Sequence, residues 1–472
     1  MRTPLITSKR FAPLFWTQFL SAFNDNFLKN TLVFLVLFQV VATGAETGNT
    51  GALIALAGAI FIVPYLFLSA LGGELADKYD KSILARRTKA VEIAGAGIAV
   101  AGMLTASLPV LFTALFLFGC MSALFSPVKY GLLPEHLESD ELPRANAWIE
   151  AGTFLAILTG TISAGLVFAA DAPSLIFAPA MIVLAFACYG MSRQIPQSIA
   201  ASPTLKVDWN LLTSTWRILG DLAGNRRMLK VALMTAWFWL VGSIVLALLP
   251  LIVKDVLGGD ETAVTYFLTV FAVSIGIGSA LAAWLSAGRV VLLPAPVGTL
   301  LIALFSGDIA WTLSTLPQAA PATGLIELLG RDGTLRLTID MAGLAISGAL
   351  LVVPTFTALQ TWADPQTRAR RIAASNALGA ALMALGGLVL AGAQKAGVSV
   401  SAIMAALSAL NGLVAILMLK TLPTNPMRDA ISILYRAIFR VDIKGLENLE
   451  KAGDAPILAL NHVSYLDAGL AL

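Results

Sequence analysis

The feature that most constrains this chain is a series of twelve long apolar runs, at 14–41, 51–73, 88–107, 109–128, 145–169, 173–192, 230–253, 262–287, 290–313, 338–362, 372–394 and 399–419. A helix rises about 1.5 Å per residue, so each run of about twenty residues spans a hydrocarbon layer roughly 30 Å thick. Lipid offers the backbone no hydrogen-bond partner, so such runs must satisfy their own amides as helices. Composition agrees: 58% of residues are hydrophobic and 12% are charged, about half the charge of an ordinary soluble domain. The expectation is an all-α, polytopic membrane protein with twelve transmembrane helices.

Basic residues then set the orientation. Arg2, Lys9 and Arg10 precede the first span, Lys78, Lys81, Arg86, Arg87 and Lys89 follow the second, a basic stretch from Arg193 to Lys230 follows the sixth, and Arg368, Arg370 and Arg371 follow the tenth. The opposite loops hold only Lys254, Arg331, Arg336 and Lys395. The positive-inside rule puts both termini in the cytoplasm. No cleavable signal peptide is apparent, because the first run is long and carries charge in its middle.

That charge lies in Phe15–Lys29. At 100° per residue, Gln18, Ser21, Asp25 and Lys29 fall on one polar stripe of an otherwise apolar rod, flanked by Asn24 and Asn26. From Leu14, Asp25 lies about 16 Å deep, where a charge costs about 2.5 to 3.5 kcal/mol on insertion scales. Pairing between Asp25 and Lys29, four residues apart, would lower that cost. Intramembrane charges face a bundle interior or a cavity, so the stripe is assigned to the wall of a substrate pathway, with a structural pair that locks helix packing as the bland alternative.

Other chemistry is excluded by inventory. Cys120 and Cys188 both lie in apolar runs, and His136 and His462 lie far apart, so no disulfide framework and no metal centre is expected. No nucleotide-binding glycine loop occurs, and neither a cofactor nor a nucleic-acid partner is expected. The polar break at 193–229 reads as a linker on the membrane face, with Trp209 and Trp216 at headgroup level. A weak internal repeat relates Pro127, Arg144, Asn146 and Gly160 to Pro354, Arg371, Asn376 and Gly387. The chain therefore divides into a six-helix half at 1–192, the linker, a second six-helix half at 230–420, and a tail at 421–472, with a central cavity between the halves.

Two motifs sharpen this plan. Gly73-Glu74-Leu75-Ala76-Asp77-Lys78-Tyr79-Asp80-Lys81 resembles the cytoplasmic signature of the major facilitator superfamily, with Lys78 in place of its arginine and Asp80 in place of its second glycine. Physically, Gly73 lets helices approach and Asp77 can sit against a helix N-terminus. Ser21-Ala22-Phe23-Asn24-Asp25-Asn26, Ser126-Pro127-Val128-Lys129-Tyr130-Gly131, Ala145-Asn146-Ala147-Trp148-Ile149-Glu150 and Val352-Val353-Pro354 resemble the bacterial lysophospholipid transporter family, a branch of that superfamily.

The resemblance implies a flippase of the bacterial inner membrane. It would deliver lysophospholipids such as lysophosphatidylethanolamine to the cytoplasmic leaflet for reacylation. By this reading Gln18, Ser21, Asn24, Asp25, Asn26, Lys29, Asn146 and Glu150 line the substrate pathway. Gly73, Asp77, Lys78, Lys81, Lys129, Tyr130 and Glu135 form a cytoplasmic gate. Lys29 or Lys129 would meet the cargo's phosphate and Asp25 or Glu150 its ammonium, with the second half supplying apolar wall.

The tail reads differently. Residues 439–446 and 456–460 have the alternation and β-branched content of strands. His462-x-x-x-x-Asp467, with Lys444-Gly445-Leu446-Glu447-Asn448-Leu449 upstream, resembles the first motif of glycerolipid acyltransferases, where the histidine is the general base and the aspartate orients it. The expected α/β domain is cut short at Leu472, so these 472 residues are expected to transfer no acyl group, and an acyltransferase with an acyl-carrier/ligase module is expected downstream in a full-length fusion. Two other readings stay open: an acyltransferase fusion whose spans mainly anchor it, and a general amphiphile or drug exporter.

Overall fold

The computed structural model describes residues 4–43, 48–168, 170, 172–286, 288–316 and 324–438. The first half contains α1 (Ala12–Thr43), α2 (Gly48–Lys78), α3 (Lys81–Leu104), α4 (Leu108–His136), α5 (Leu142–Phe168) and α6 (Pro173–Ser192). A shorter helix, α7 (Leu211–Gly224), lies in the linker. The second half contains α8 (Arg226–Leu251), α9 (Glu261–Ser286), α10 (Pro294–Thr315), a single turn α11 (Leu325–Leu329), α12 (Thr334–Trp362), α13 (Arg368–Lys395) and α14 (Val400–Thr421). A further helix, α15 (Pro426–Ile438), follows. No strand occurs among the described residues. The strands expected at 439–446 and 456–460, with His462 and Asp467, lie outside them.

Ten helices among the described residues are long and apolar enough to cross a membrane by length and composition. The other two long helices, α1 and α3, are those that carry Asp25 with Lys29 and Lys89 with Glu92. Local signals punctuate the rods. Asp80 caps α3 by accepting from the Ser82 amide, and Asn225 caps α8 by accepting from the Met228 amide. Pro173 and Pro294 open α6 and α10, where a missing amide proton costs nothing. Pro127 and Pro354 lie inside α4 and α12, which neighbouring helices tolerate in a membrane bundle.

Packing repeats between the halves. α1 packs on α5 as α8 packs on α13, α2 on α4 as α9 on α12, and α3 on α6 as α10 on α14. Across the halves, α2 meets α13 and α5 meets α9, so the two crossings exchange under the same pseudo-twofold relation. Both crossings lie toward the end that carries the basic loops, called here the basic end. At mid-depth the halves touch through Phe154, whose ring centroid is 6.3 Å from Phe238 and 6.2 Å from Phe271.

Candidate functional site

The seam at the basic end is built from residues that the sequence singled out. Gly73 brings α2 so close to α13 that a Cβ there would lie 2.6 Å from the Ala373 Cβ and 2.9 Å from the Ala369 carbonyl oxygen. One turn on, fully buried Asp77 accepts from the backbone amides of Ala369 (3.0 Å) and Arg370 (3.3 Å) and from Arg370 Nε (2.9 Å). A carboxylate of one half thus sits on the N-terminus of α13 in the other, where the helix dipole and free amides favour it. Lys81 donates to Glu135 Oε1 at 2.5 Å, closing α3 on α4 within the first half. Lys78 takes no part in the seam; its ammonium lies 5.4 Å from the Tyr79 ring. Asp80, the departure from the superfamily pattern, also accepts from the Ser198 amide and hydroxyl, tying the linker to the α2–α3 turn.

Deeper, the seam becomes neutral. Asn146, fully buried, donates to Gln360 Oε1 (2.7 Å) and Thr357 Oγ1 (3.2 Å), and Gln360 donates back to Asn146 Oδ1 (3.1 Å) and to the Tyr130 carbonyl (3.2 Å). The Tyr130 ring stacks on Phe356 of the other half at 4.1 Å and 12°. Asn376 of α13 donates to Ser126 of α4 at 3.0 Å. Asn146 on α5 reaching α12 and Asn376 on α13 reaching α4 are counterparts in the two halves. The weak repeat in the sequence therefore marks a pair of symmetry-related inter-half bonds. Asn146, expected in the pathway wall, is a member of this seam.

Above the seam lies the charged layer of the first half. The stripe on α1 is divided among three neighbouring helices. Gln18 donates to Thr153 of α5 (3.0 Å), Ser21 accepts from Lys89 of α3 (2.7 Å), and Asp25 Oδ2 accepts from Ser122 of α4 (2.7 Å). The expected Asp25–Lys29 pair does not form. Lys29 instead donates to Asn26 Oδ1 at 3.0 Å, three residues back, and Asn26 donates to the Ala22 carbonyl. The reason is local: the i−3 amide is nearer along the helix surface, and Asp25 is turned into the α1–α4 contact. Asn24, 1% exposed, has no hydrogen-bond partner for its side chain among the described residues.

Sequence reasoning gave one group here in part and missed a second. Glu92 reads as a partner for the basic residues beside it, and Lys89 fills that place, donating to Glu92 Oε1 (2.5 Å), but Lys89 is fully buried rather than interfacial and lies 4.0 Å from the Phe125 ring centroid. Its signal was available, since Lys89 and Glu92 stand three apart inside an apolar run. The second group, the pairing of Gln360 with Asn146, had only a weak signal in a polar amide within an otherwise apolar helix.

Lys129, expected in the gate, and Glu150, expected in the pathway wall, are brought by the structure to the same tyrosine. Tyr130 donates to Glu150 Oε1 at 2.6 Å, and the Lys129 ammonium lies 4.2 Å from the Tyr130 ring centroid. Four charges of this layer, Asp25, Lys29, Lys129 and Glu150, form no ion pair within 4.0 Å among the described residues. One oxygen of Asp25 and one of Glu150 are buried with no partner there. In the second half a small apolar cleft is lined by Phe238, Val241, Phe271, Ile275, Ile302 and Leu344, with small residues between. No group of histidine, cysteine, aspartate and glutamate suited to a metal ion occurs among the described residues.

Two pseudo-symmetric six-helix halves that meet at one end define the major facilitator class of membrane transporter. Comparison with known proteins agrees. The Major Facilitator Superfamily model matches residues 14–331. The lysophospholipid transporter LplT of Escherichia fergusonii is 30% identical over 335 residues, covering 68% of this chain and 77% of the relative. That of Escherichia coli O1:K1 is 28% identical over 332 residues, covering 68% and 77%. The chain belongs to the lysophospholipid transporter family of the major facilitator superfamily.

Among solved structures, the human organic anion transporter MFSD10 superposes with a TM-score of 0.65 at 14% identity, covering 88% of this chain and 100% of that one. A bacterial homologue of the iron transporter ferroportin, in an outward-facing state, gives 0.60 at 16% identity, covering 87% and 98%. These likenesses carry the fold alone.

Proposed function

We propose that the protein is a lysophospholipid flippase of the bacterial inner membrane, with its basic end in the cytoplasm. The observation that supports this reading is the set of unpaired charges. A zwitterionic lysophospholipid carries a phosphate and an ammonium; the first half offers two ammoniums, Lys29 and Lys129, and two carboxylates, Asp25 and Glu150, none of them ion-paired to a protein group among the described residues. Burying such charges unpaired is expensive, and a headgroup of complementary charge offsets that cost. The apolar second half, where Phe238, Phe271 and Ile275 line only a small cleft in this closed arrangement, is assigned the single acyl chain.

In this conformation the seam closes the cytoplasmic side, so cargo enters from the outer leaflet and leaves when the seam opens. The family resemblance adds the metabolic direction, delivery to the cytoplasmic leaflet for reacylation. Transport of labelled lysophosphatidylethanolamine into proteoliposomes tests the reading. Uptake above that of protein-free vesicles, competed by unlabelled lysophospholipid, is the expected result. Uptake equal to protein-free vesicles, alongside efflux of unrelated cationic amphiphiles, would replace the flippase with an exporter.

A further inference from the structure

The linker does more than join the halves. Its helix α7 carries its own N-cap, Asn210 Oδ1 accepting from the amides of Leu212 and Thr213. Its inner face carries the buried Ser214, Ile218 and Leu222. Ser214 Oγ (2.8 Å), the Asp208 amide (2.7 Å) and the Arg217 guanidinium all donate to Glu74, which is 1% exposed on α2. Glu74 directly follows Gly73, where α2 touches α13, and precedes Asp77 by three residues. From the other half, Arg371 of α13 donates to the Asp221 carbonyl of α7. Nearby in the linker, the Ser202 amide donates to the Asp77 carbonyl (2.7 Å) and the Ser202 hydroxyl to the Gln366 carbonyl (3.0 Å). The linker is thereby fastened to both halves across the closed seam.

The outer face of the same segment is apolar and uncovered. Trp209, Leu212 and Trp216 are 72%, 58% and 75% exposed and recur at helical spacing on one side. Lys206 and Arg226, both exposed, flank that segment in sequence. Tryptophans with flanking cations at the end of a bundle match a headgroup layer, and the cations match an anionic one.

We propose that α7 is a membrane-anchored strap whose partner is the anionic lipid surface of the leaflet at the basic end, and that this anchorage favours the closed seam. The strap holds Glu74 and Asp77 of one half together with Arg371 and Gln366 of the other, so all of these contacts are made at once only while the halves meet, and holding α7 at the surface favours the closed arrangement. The inference rests on α7 and the seam, and does not depend on which cargo is carried.

The test uses the full chain in nanodiscs, with Cys120→Ala and Cys188→Ser removing the native thiols. An environment-sensitive fluorophore on Trp216→Cys is expected to be quenched by lipids labelled near the headgroup and protected from aqueous iodide. Spin labels on Tyr79→Cys and Thr361→Cys, exposed positions of the two halves at the basic end, report seam closure. Adding phosphatidylglycerol to phosphatidylethanolamine is expected to raise the closed-to-open ratio about fivefold, the worth of one basic residue at an anionic surface. The double variant Trp209→Ser/Trp216→Ser, which removes no buried side chain, is expected to abolish that response. A fluorophore quenched only by iodide, or a closed-to-open ratio insensitive to both lipid and variant, overturns the proposal. Loss of lysophosphatidylethanolamine uptake with the strap response intact would bear on the cargo alone.

Discussion

Replacing Asn146 by alanine isolates the neutral part of the seam. The wild-type amide exchanges two hydrogen bonds with Gln360 and one with Thr357, at 2.7, 3.1 and 3.2 Å, in a position with no solvent exposure. After truncation Gln360 keeps its bond to the Tyr130 carbonyl, but its own oxygen is left without a donor. An orphaned buried group costs about 1 to 3 kcal/mol. Because these bonds cross between the halves, the cost falls on the closed arrangement, raising the open fraction by about fivefold to a hundredfold at 1.4 kcal/mol per decade. The assay is alkylation of Ala363→Cys, buried at the basic end, by a membrane-impermeant maleimide from that side, in protein of unchanged thermal stability. The rate is expected to rise in proportion. Asn146→Leu combined with Gln360→Leu removes both partners and should cost less than the sum of the single changes. Strict additivity, or an unchanged alkylation rate in Asn146→Ala, would refute a seam that depends on this pair.

Other expectations follow from the same geometry. Asp25→Asn keeps the size and the Ser122 contact but removes the charge, and uptake of lysophosphatidylethanolamine is expected to fall about tenfold or more, the worth of a charge-assisted hydrogen bond; parental uptake would move the headgroup site toward Lys129 and Glu150. Gly73→Val cannot bring α2 onto α13, and transport should be lost while the protein still reaches the membrane in normal amount, as measured by surface labelling. Burial pushes the Asp80 carboxyl up, but hydrogen bonds from Ser82 and Ser198 outweigh it and hold the group below its ordinary 3.8. The stabilisation its charge gives α3 is complete above that pH and is lost as the pH falls through the lowered value. Asp80→Ala should therefore cost about 1 kcal/mol at neutral pH and less in strong acid, where only the neutral carboxyl's cap remains to be lost, read by thermal unfolding in detergent. Dissipating the proton gradient across proteoliposomes should leave uptake unchanged, since cargo moving down its own gradient needs no coupling ion.

The twelve long helices were legible because lipid enforces length and apolarity, a constraint that needs no tertiary context. The Asp77 contact with a helix N-terminus was legible as chemistry, although the sequence did not say that the helix would be α13. Less could be read where two polar groups meet across helices. A wheel aligned Gln18, Ser21, Asp25 and Lys29, but only packing decides that they reach α5, α3, α4 and Asn26 respectively. At Lys89 the local part, a cation three residues from Glu92, was legible, whereas its full burial depends on the approach of α1. The Asn146–Gln360 pair joins residues 214 apart, and no local pattern connects them.

The seam is graded from ionic at its rim to neutral in its depth, and this has a kinetic meaning. At the rim the partly exposed Arg370 guanidinium meets the surrounding electrolyte even though its partner Asp77 is buried, whereas the Asn146–Gln360 amides and the Tyr130–Phe356 stack carry no net charge to screen. Ionic strength should thus speed or slow the first loosening of the rim and leave the final parting of the amides untouched. A passage fastened in this order unzips from its wet edge inward, and its slowest tooth is one that no change of electrolyte can reach.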